Sequence, residues 1–266
     1  STVSLLALTS CGGGGGGIFG AFGAGGGGSL LGGMLLKGPI SGARVFQDLN
    51  LNNVFDVGEP FAFTQPDGSY SLQTQNNTAP ILTDGGVDTT TGANAGAFKF
   101  NPTENIETVT PVSVVITQIN DGIDPNTAFT KFSSLSSPIS FDDYNPIQSA
   151  ADAGGTNVDA AIVDAVGAQM QTTINGLSTL LKEIASITSN DPYQNAVDAI
   201  VAEINSGNTI NFEDTADLVS IFNRTSLSGS EFTPVVTSVT NAIAEVNKQL
   251  FELFTEEGGN FLDADA

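Results

Sequence analysis

The stretch that most restricts the fold of this chain is DLNLNNVFDVGE, residues 48–59, in which oxygen-bearing side chains recur at alternate positions. Its acids and amides follow the D-x-[DN]-x-[DN] spacing of a twelve-residue calcium loop, in which oxygen ligands wrap a hard cation. Asn53 stands at position 6, where glycine is usual, and asparagine tolerates a left-handed turn better than most residues. The pattern predicts a Ca²⁺ site formed by Asp48, Asn50, Asn52, the Val54 carbonyl, Asp56 and Glu59.

The same residues also suit a polar hairpin loop without a metal, and this is the alternative interpretation. Three acids and two amides form a weakly charged ligand set, so the expected Kd is about 10⁻⁴–10⁻³ M, as in extracellular modules. The ion would have a structural role, because it would tie together a long loop between two strands. Phe55, at position 8 of the loop, is predicted to point inward as an apolar anchor.

Short β-rich runs flank this loop, and a Pro-Asp-Gly turn at 66–68 separates two of them. The runs predict strands at 43–47, 60–64, 69–73, 79–83, 96–100 and 107–117. Short strands at this spacing are typical of a small antiparallel β-sandwich of immunoglobulin or transthyretin type, which we expect over residues 37–120.

From residue 157 the apolar residues recur at three- and four-residue spacing, which is the period of a helix. Asp191 as N-cap, Pro192 in the first turn and Gly207 at the end bound one of these helices. Met170 lies in an apolar stripe and is predicted to be a core residue. The helices are expected at 157–188, 191–207, 212–223 and 233–258.

The predicted fold is therefore α+β, with a small antiparallel β-sandwich followed by a C-terminal α-helical bundle at 157–258. A linker at 121–156 would join the two parts, and residues 259–266 would form an acidic tail.

Composition argues against several classes of function. The chain has 29 acidic and 7 basic residues, a net charge of −22, so its surface repels phosphate backbones and no nucleic-acid partner is expected. It has one cysteine and no histidine, which removes Ser-His-Asp and Cys-His catalysis. Catalysis by carboxylates alone would need two of them facing across a cleft about 5–10 Å wide. Asp142–Asp143 is interpreted instead as a solvated loop pair, and we expect a protein that is not an enzyme.

The single cysteine, Cys11, follows an apolar run and precedes a glycine-rich segment. The residues LTSC, at 8–11, resemble the bacterial lipobox. That resemblance implies that the Cys11 thiol receives a lipid and that the chain is cut before it. Residues 1–10 would then be the remnant of a signal peptide, and 11–36 would be the lipidated cysteine with a flexible glycine-rich tether. A stray thiol beside low-complexity sequence is the alternative.

Residues 38–73, GPISGARVFQDLNLNNVFDVGEPFAFTQPDGSYSLQ, resemble a repeated signature of surface lipoproteins and large adhesins of Gram-negative bacteria. They are also similar to the calcium-stabilised B-type domains of Gram-positive adhesins and to carboxypeptidase-regulatory-like β-sandwiches. The resemblance implies an extracytoplasmic module with a structural or adhesive role, and it brings no catalytic residues.

Together these features predict a non-enzymatic lipoprotein held in the outer membrane or at the cell surface of a Gram-negative bacterium, through the lipid on Cys11. Two alternatives stay open. The chain would be a glycan- or protein-binding module if an exposed aromatic cluster lay on the β region. It would be a subunit of a surface assembly if residues 30–40 added a strand to a neighbouring molecule.

Overall fold

The computed structural model describes residues 28–89, 92, 94–102, 108–116, 118–119, 130–132, 158–184 and 191–256. This part of the chain is mixed α+β, as predicted, with two small sheets and a C-terminal helical region. The strands are β1 (Leu30–Leu35), β2 (Ile40–Gln47), β3 (Phe61–Phe63), β4 (Ser69–Gln73), β5 (Ile81–Asp88), β6 (Lys99–Phe100) and β7 (Thr108–Val109). The helices are α1 (Pro111–Ile116), α2 (Val158–Glu183), α3 (Pro192–Asn205), α4 (Thr215–Phe222) and α5 (Thr233–Glu256).

The larger sheet is antiparallel and has the strand order β3-β2-β5-β6, whereas the smaller sheet has the order β4-β1-β7. In the smaller sheet β1 pairs with β7 in parallel, so the prediction of a wholly antiparallel arrangement is wrong for this pair. Side chains of both sheets form one apolar cluster that includes Val45, Leu72 and Phe98. Along β4 buried and exposed residues alternate, which is the period of a strand with one buried face.

Residues 30–35 lie within the segment that the sequence assigns to the tether, yet they form the central strand of the smaller sheet. The run LLGGML contains two glycines and no β-branched residue, so its own propensity for a strand is low. Its conformation comes from pairing with β4, in which Leu31 lies opposite Leu72, and from burial of Leu35. Both edges of β1 are paired within the chain itself.

Part of the predicted strand at 107–117 is helix α1. Thr110 and Ser113 form a reciprocal cap, in which each side-chain hydroxyl accepts the backbone N–H of the other at 2.8–3.0 Å. Pro111 occupies the first turn, where its missing N–H is not needed. The valine-rich helix is buried, with Val114 in the β-region cluster and Val115 in the helical one. Burial and capping therefore override the β propensity of this run.

The four predicted C-terminal helices are confirmed; α2 ends at Glu183, before the predicted residue 188, and α4 begins at Thr215 rather than at residue 212. Asp191 caps α3 by accepting the Gln194 N–H at 3.0 Å, and Asp214 caps α4 by accepting from Ala216 and Asp217. Met170 is fully buried in the helical core, as predicted. Glu213 lies just before α4 and accepts a hydrogen bond from Gln169 at 3.0 Å.

Several predicted segments lie outside the described residues. These are residues 1–27, with Cys11 and most of the tether, the pair Asp142–Asp143, the tail at 259–266, and the linker at 121–156 apart from 130–132. Among the described helices, none is long and apolar enough to cross a membrane.

Candidate functional site

The predicted calcium loop, residues 48–59, joins β2 to the edge strand β3, and its backbone makes a left-handed turn at Asn53. The φ angle of Asn53 is 62°, which confirms the expected conformation at this position. Leu51 also has a positive φ, of 61°, and this was not expected for a residue with a large side chain. The turn is held by Asp48, whose carboxylate accepts the N–H groups of Asn52 at 3.2 Å and Asn53 at 2.8 Å.

A second carboxylate, that of Glu59, braces the loop from its other end. Its Oε1 atom accepts the Leu49 N–H at 2.8 Å, and its Oε2 atom accepts the Asp56 N–H at 3.0 Å. Asp48 and Glu59 are both buried. Hydrogen bonds from backbone amides to a carboxylate are among the stronger ones in proteins, so these two acids organise the loop in addition to their predicted role as ligands.

Three of the predicted ligands meet at one carboxylate oxygen. The Nδ2 groups of Asn50 and Asn52 donate to Oδ2 of Asp56 at 2.8 and 2.7 Å. These bonds, first from Asn50 and then from Asn52, lower the pKa of the Asp56 carboxyl. The amide oxygens of Asn50 and Asn52 accept the N–H groups of Asn52 and Val54.

The donor set suits Ca²⁺ in its chemistry, because Ca²⁺ binds carboxylate, amide and carbonyl oxygens together. Among the residues that the structure describes, no three acidic side chains converge closely enough to hold a metal by themselves. A cation in this loop would therefore depend on the amides of Asn50 and Asn52 and on the Val54 carbonyl. Asp56, on which the two amides converge, is the carboxylate that would meet it.

The side chain of Phe55 points away from the loop and packs on the outer face of the larger sheet. Its ring lies edge-on to Phe46 at a centroid distance of 5.6 Å and to Phe61 at 5.2 Å, and Phe61 in turn lies 5.8 Å from Phe63. The guanidinium of Arg44 stands 4.2 Å above the Phe55 ring. We call Phe55, Phe61 and Phe63 the aromatic row.

A cleft of ≈ 220 Å³ lies between the loop, the sheet and the first turn of α3, where Asn53, Phe46 and Tyr193 line it. Lys99 forms an ion pair with Asp191, and its ammonium also donates to Oδ1 of Asn53 at 3.0 Å. Tyr193 lines the cleft, and burial raises the pKa of its hydroxyl. Lys99 thus connects the loop at 48–59 to the N-terminus of α3.

The six predicted loop residues are brought together within one loop, whereas the aromatic row was not foreseen as a site. Arg44, which stacks on it, also pairs with Asp84 through two hydrogen bonds of 2.6 and 3.0 Å. The signal in the sequence was the alternation in PFAFT, which places Phe61 and Phe63 on one face of a strand. Their exposure could not be read from it.

Asn53 offers a test of the loop conformation. In calcium-free buffer, Asn53→Ala should lower the free energy of unfolding by about 1 kcal/mol more than Asn53→Gly, because only alanine is strained at positive φ. Both variants lose the hydrogen bond from Lys99, so the difference between their free energies of unfolding reports only the backbone strain at positive φ. Urea denaturation measures it. Asn52, whose φ is not positive, is the matched control, and there glycine should be no better than alanine. Equal free energies of unfolding for Asn53→Ala and Asn53→Gly would contradict the left-handed turn.

Comparison of the chain with protein-family models, curated proteins and solved structures finds no match. Its function is therefore inferred from its own residues.

Proposed function

We propose that this chain is a non-enzymatic, extracytoplasmic lipoprotein with a structural or adhesive role at the cell envelope, and that Ca²⁺ stabilises its β region. The observation that carries the proposal is the loop at 48–59, which turns left-handed at Asn53 as a calcium loop does at position 6 and whose two ends are held by the carboxylates of Asp48 and Glu59. A loop of twelve residues without regular structure has a high entropy cost, and a cation at its centre would offset part of that cost.

Calorimetric titration of the full chain with CaCl₂ and with MgCl₂ tests this proposal. We expect one site with a Kd of about 10⁻⁴–10⁻³ M for Ca²⁺ and weaker binding of Mg²⁺, which demands octahedral geometry. Asp56→Asn should weaken Ca²⁺ binding, whereas Asp67→Asn should not. Asp67 is a suitable control because it is an exposed, hydrogen-bonded acid in the next turn of the chain. No saturable heat with Ca²⁺ would contradict the proposed cation site.

The proposed anchor is the lipid on Cys11, and it is supported by the resemblance of residues 8–11 to the lipobox. Growth of an expressing Gram-negative host with an azide-bearing fatty acid should label the protein, and Cys11→Ser should abolish the label. Ser10→Ala, which keeps a small residue before the cysteine, should leave labelling intact. Label retained by Cys11→Ser would contradict lipidation at this residue.

A second candidate function, that of a binding module for a surface protein or a glycan, is favoured by the aromatic row. Its Phe61 and Phe63 side chains are half exposed on the outer face of the sheet. Exposed aromatic side chains in a row are typical of binding surfaces, because they offer a large apolar area with little conformational freedom to lose.

A further inference from the structure

Strand β3 is the last strand of the larger sheet, and among the residues that the structure describes no strand pairs with the side of its backbone that faces away from β2. Ala62 pairs with Val45 of β2, and the neighbouring bonds to β2 come from Pro60 and Thr64. Because alternate residues of an antiparallel strand point their N–H and C=O groups to opposite sides, those of Phe61 and Phe63 point away from β2. Within the described residues, no hydrogen bond reaches these four groups. An exposed edge of this kind is a template for another strand.

The side chains at this edge add an apolar platform. Phe61 is 52% exposed and Phe63 is 54% exposed, and both lie on the face that carries Phe55. An added strand would place every second side chain on this same face, beside the aromatic row. Apolar side chains at alternate positions of the added segment would therefore be the ones that gain contact.

The charges around β3 restrict what can pair with it. Asp56 precedes the strand and Asp67 follows it in the turn to β4, so a carboxylate stands at each end. Hydrogen bonds from the hydroxyl and the N–H of Ser69 lower the pKa of the Asp67 carboxyl, which keeps it ionised. A second copy of the chain would bring the same acids and a net charge of −22, so self-pairing is opposed by repulsion. A segment with basic residues is favoured.

We propose that the open edge of β3 binds an extended peptide of a partner protein by strand addition, the peptide having apolar side chains at alternate central positions and basic residues at both ends. Main-chain hydrogen bonds to Phe61 and Phe63 supply affinity, and the aromatic row and the flanking acids supply specificity. This inference rests on the proposed adhesive function and names the class of partner.

The test uses the full chain in calcium-containing buffer and a fluorescein-labelled peptide, KKVTVTVKK, with both ends blocked. Fluorescence anisotropy should show saturable binding. Phe61→Ser and Phe63→Ser should each weaken it about tenfold, the size of effect expected for a central aromatic anchor. Val87→Ser is the matched control, since Val87 is an apolar residue of the same sheet that is 47% exposed and lies away from β3. It should bind as the wild type does.

Two further peptides separate strand addition from general attraction. N-methylation of alternate residues blocks the N–H groups on one edge of a strand, so one of the two alternate sets should abolish binding while the other leaves it intact. The peptide EEVTVTVEE, which repeats the apolar pattern with acids, should bind at least about tenfold more weakly than KKVTVTVKK, because like charges repel.

Several results would overturn the inference. The first is that KKVTVTVKK does not bind. The second is that Val87→Ser weakens peptide binding as much as Phe61→Ser and Phe63→Ser do. The third is that neither set of N-methylated residues changes the affinity of the peptide. A dimer in sedimentation that Phe63→Ser dissociates would assign the edge to a second copy. An oligosaccharide that binds wild type but not Phe63→Ser, without peptide binding, would assign the row to a glycan. Peptide binding without calcium binding would refute only the proposed cation site, and the reverse result would refute only the strand addition.

Discussion

Addition of 10 mM CaCl₂ is expected to raise the Tm of the full chain by about 3–10 °C relative to a chelator, and Asp48→Ala is expected to remove this rise. A ligand at 10 to 100 times its Kd stabilises the folded state by about 1.4–2.7 kcal/mol. For a chain of this size each kcal/mol shifts the Tm by about 2–4 °C. Thermal unfolding followed by circular dichroism, with and without calcium, measures both quantities.

Asp48 has two roles, because it accepts backbone hydrogen bonds within the loop and is also a predicted ligand of the ion. It is 0% exposed, and its two oxygens accept the N–H groups of Asn52 and Asn53. In the presence of chelator, Asp48→Ala should therefore lower the free energy of unfolding by about 1–3 kcal/mol, since two backbone N–H groups of the loop lose a charged acceptor. Asp48→Asn keeps one acceptor oxygen and should be less damaging without calcium, while it still loses much of the calcium response.

The control for these measurements is Asp67→Ala. Asp67 accepts bonds from the N–H and the hydroxyl of Ser69 in an exposed turn, so its loss should have a small effect on stability and none on the response to calcium. If wild type and Asp48→Ala respond to calcium alike, the loop at 48–59 is a polar hairpin loop and the alternative interpretation holds.

Replacement of Asp164 by asparagine is expected to stabilise the protein at neutral pH by about 1–3 kcal/mol, the order of a buried charge without full compensation. Asp164 lies on α2 and is buried. Burial raises the pKa of its carboxyl well above the ordinary value, the charge of Asp88 raises it further, and the ammonium of Lys37 acts in the opposite direction. Two carboxylates thus lie within the electrostatic influence of one half-buried ammonium.

The sign of the pH dependence follows from this raised pKa. Above the folded-state pKa of Asp164 the carboxylate is charged in both states, and only the folded state carries the burial penalty. As the pH falls through that value, the folded state takes up a proton before the unfolded state does, so wild type gains stability. The advantage of Asp164→Asn should be constant above the folded-state pKa of Asp164, should shrink as the pH falls below it and should vanish near pH 3.8, the ordinary pKa of an aspartate.

Thermal unfolding at half-unit steps from pH 3.5 to 8 measures this difference. Asp198→Asn is the matched control, because Asp198 is an exposed residue of α3 and should show no comparable advantage. If Asp164→Asn is less stable than wild type throughout the range, attraction to Lys37 outweighs burial and the assignment of a net penalty is wrong.

Much of the fold could be predicted because the relevant forces act over a few residues. The three- and four-residue spacing of apolar side chains indicates helices α2 to α5. The caps at Asp191 and Asp214 accept N–H groups only two or three residues further on. In the loop, the turn at Asn53 and the convergence on Asp56 likewise involve neighbours within six residues.

Features that depend on partners far along the chain could not be predicted. LLGGML is a strand because β4, about 40 residues away, pairs with it, and PVSVVI is a helix because two separate cores bury it. Sheet order makes β3 an edge, and this exposes Phe61 and Phe63. Packing of α2 against the β region brings Asp164 near Lys37 and Asp88. The sequence by itself determined the helices, their caps and the loop, since period and short-range hydrogen bonds are local. Only the tertiary structure decided which strands are edges and which charges are buried, because both depend on contacts between distant segments.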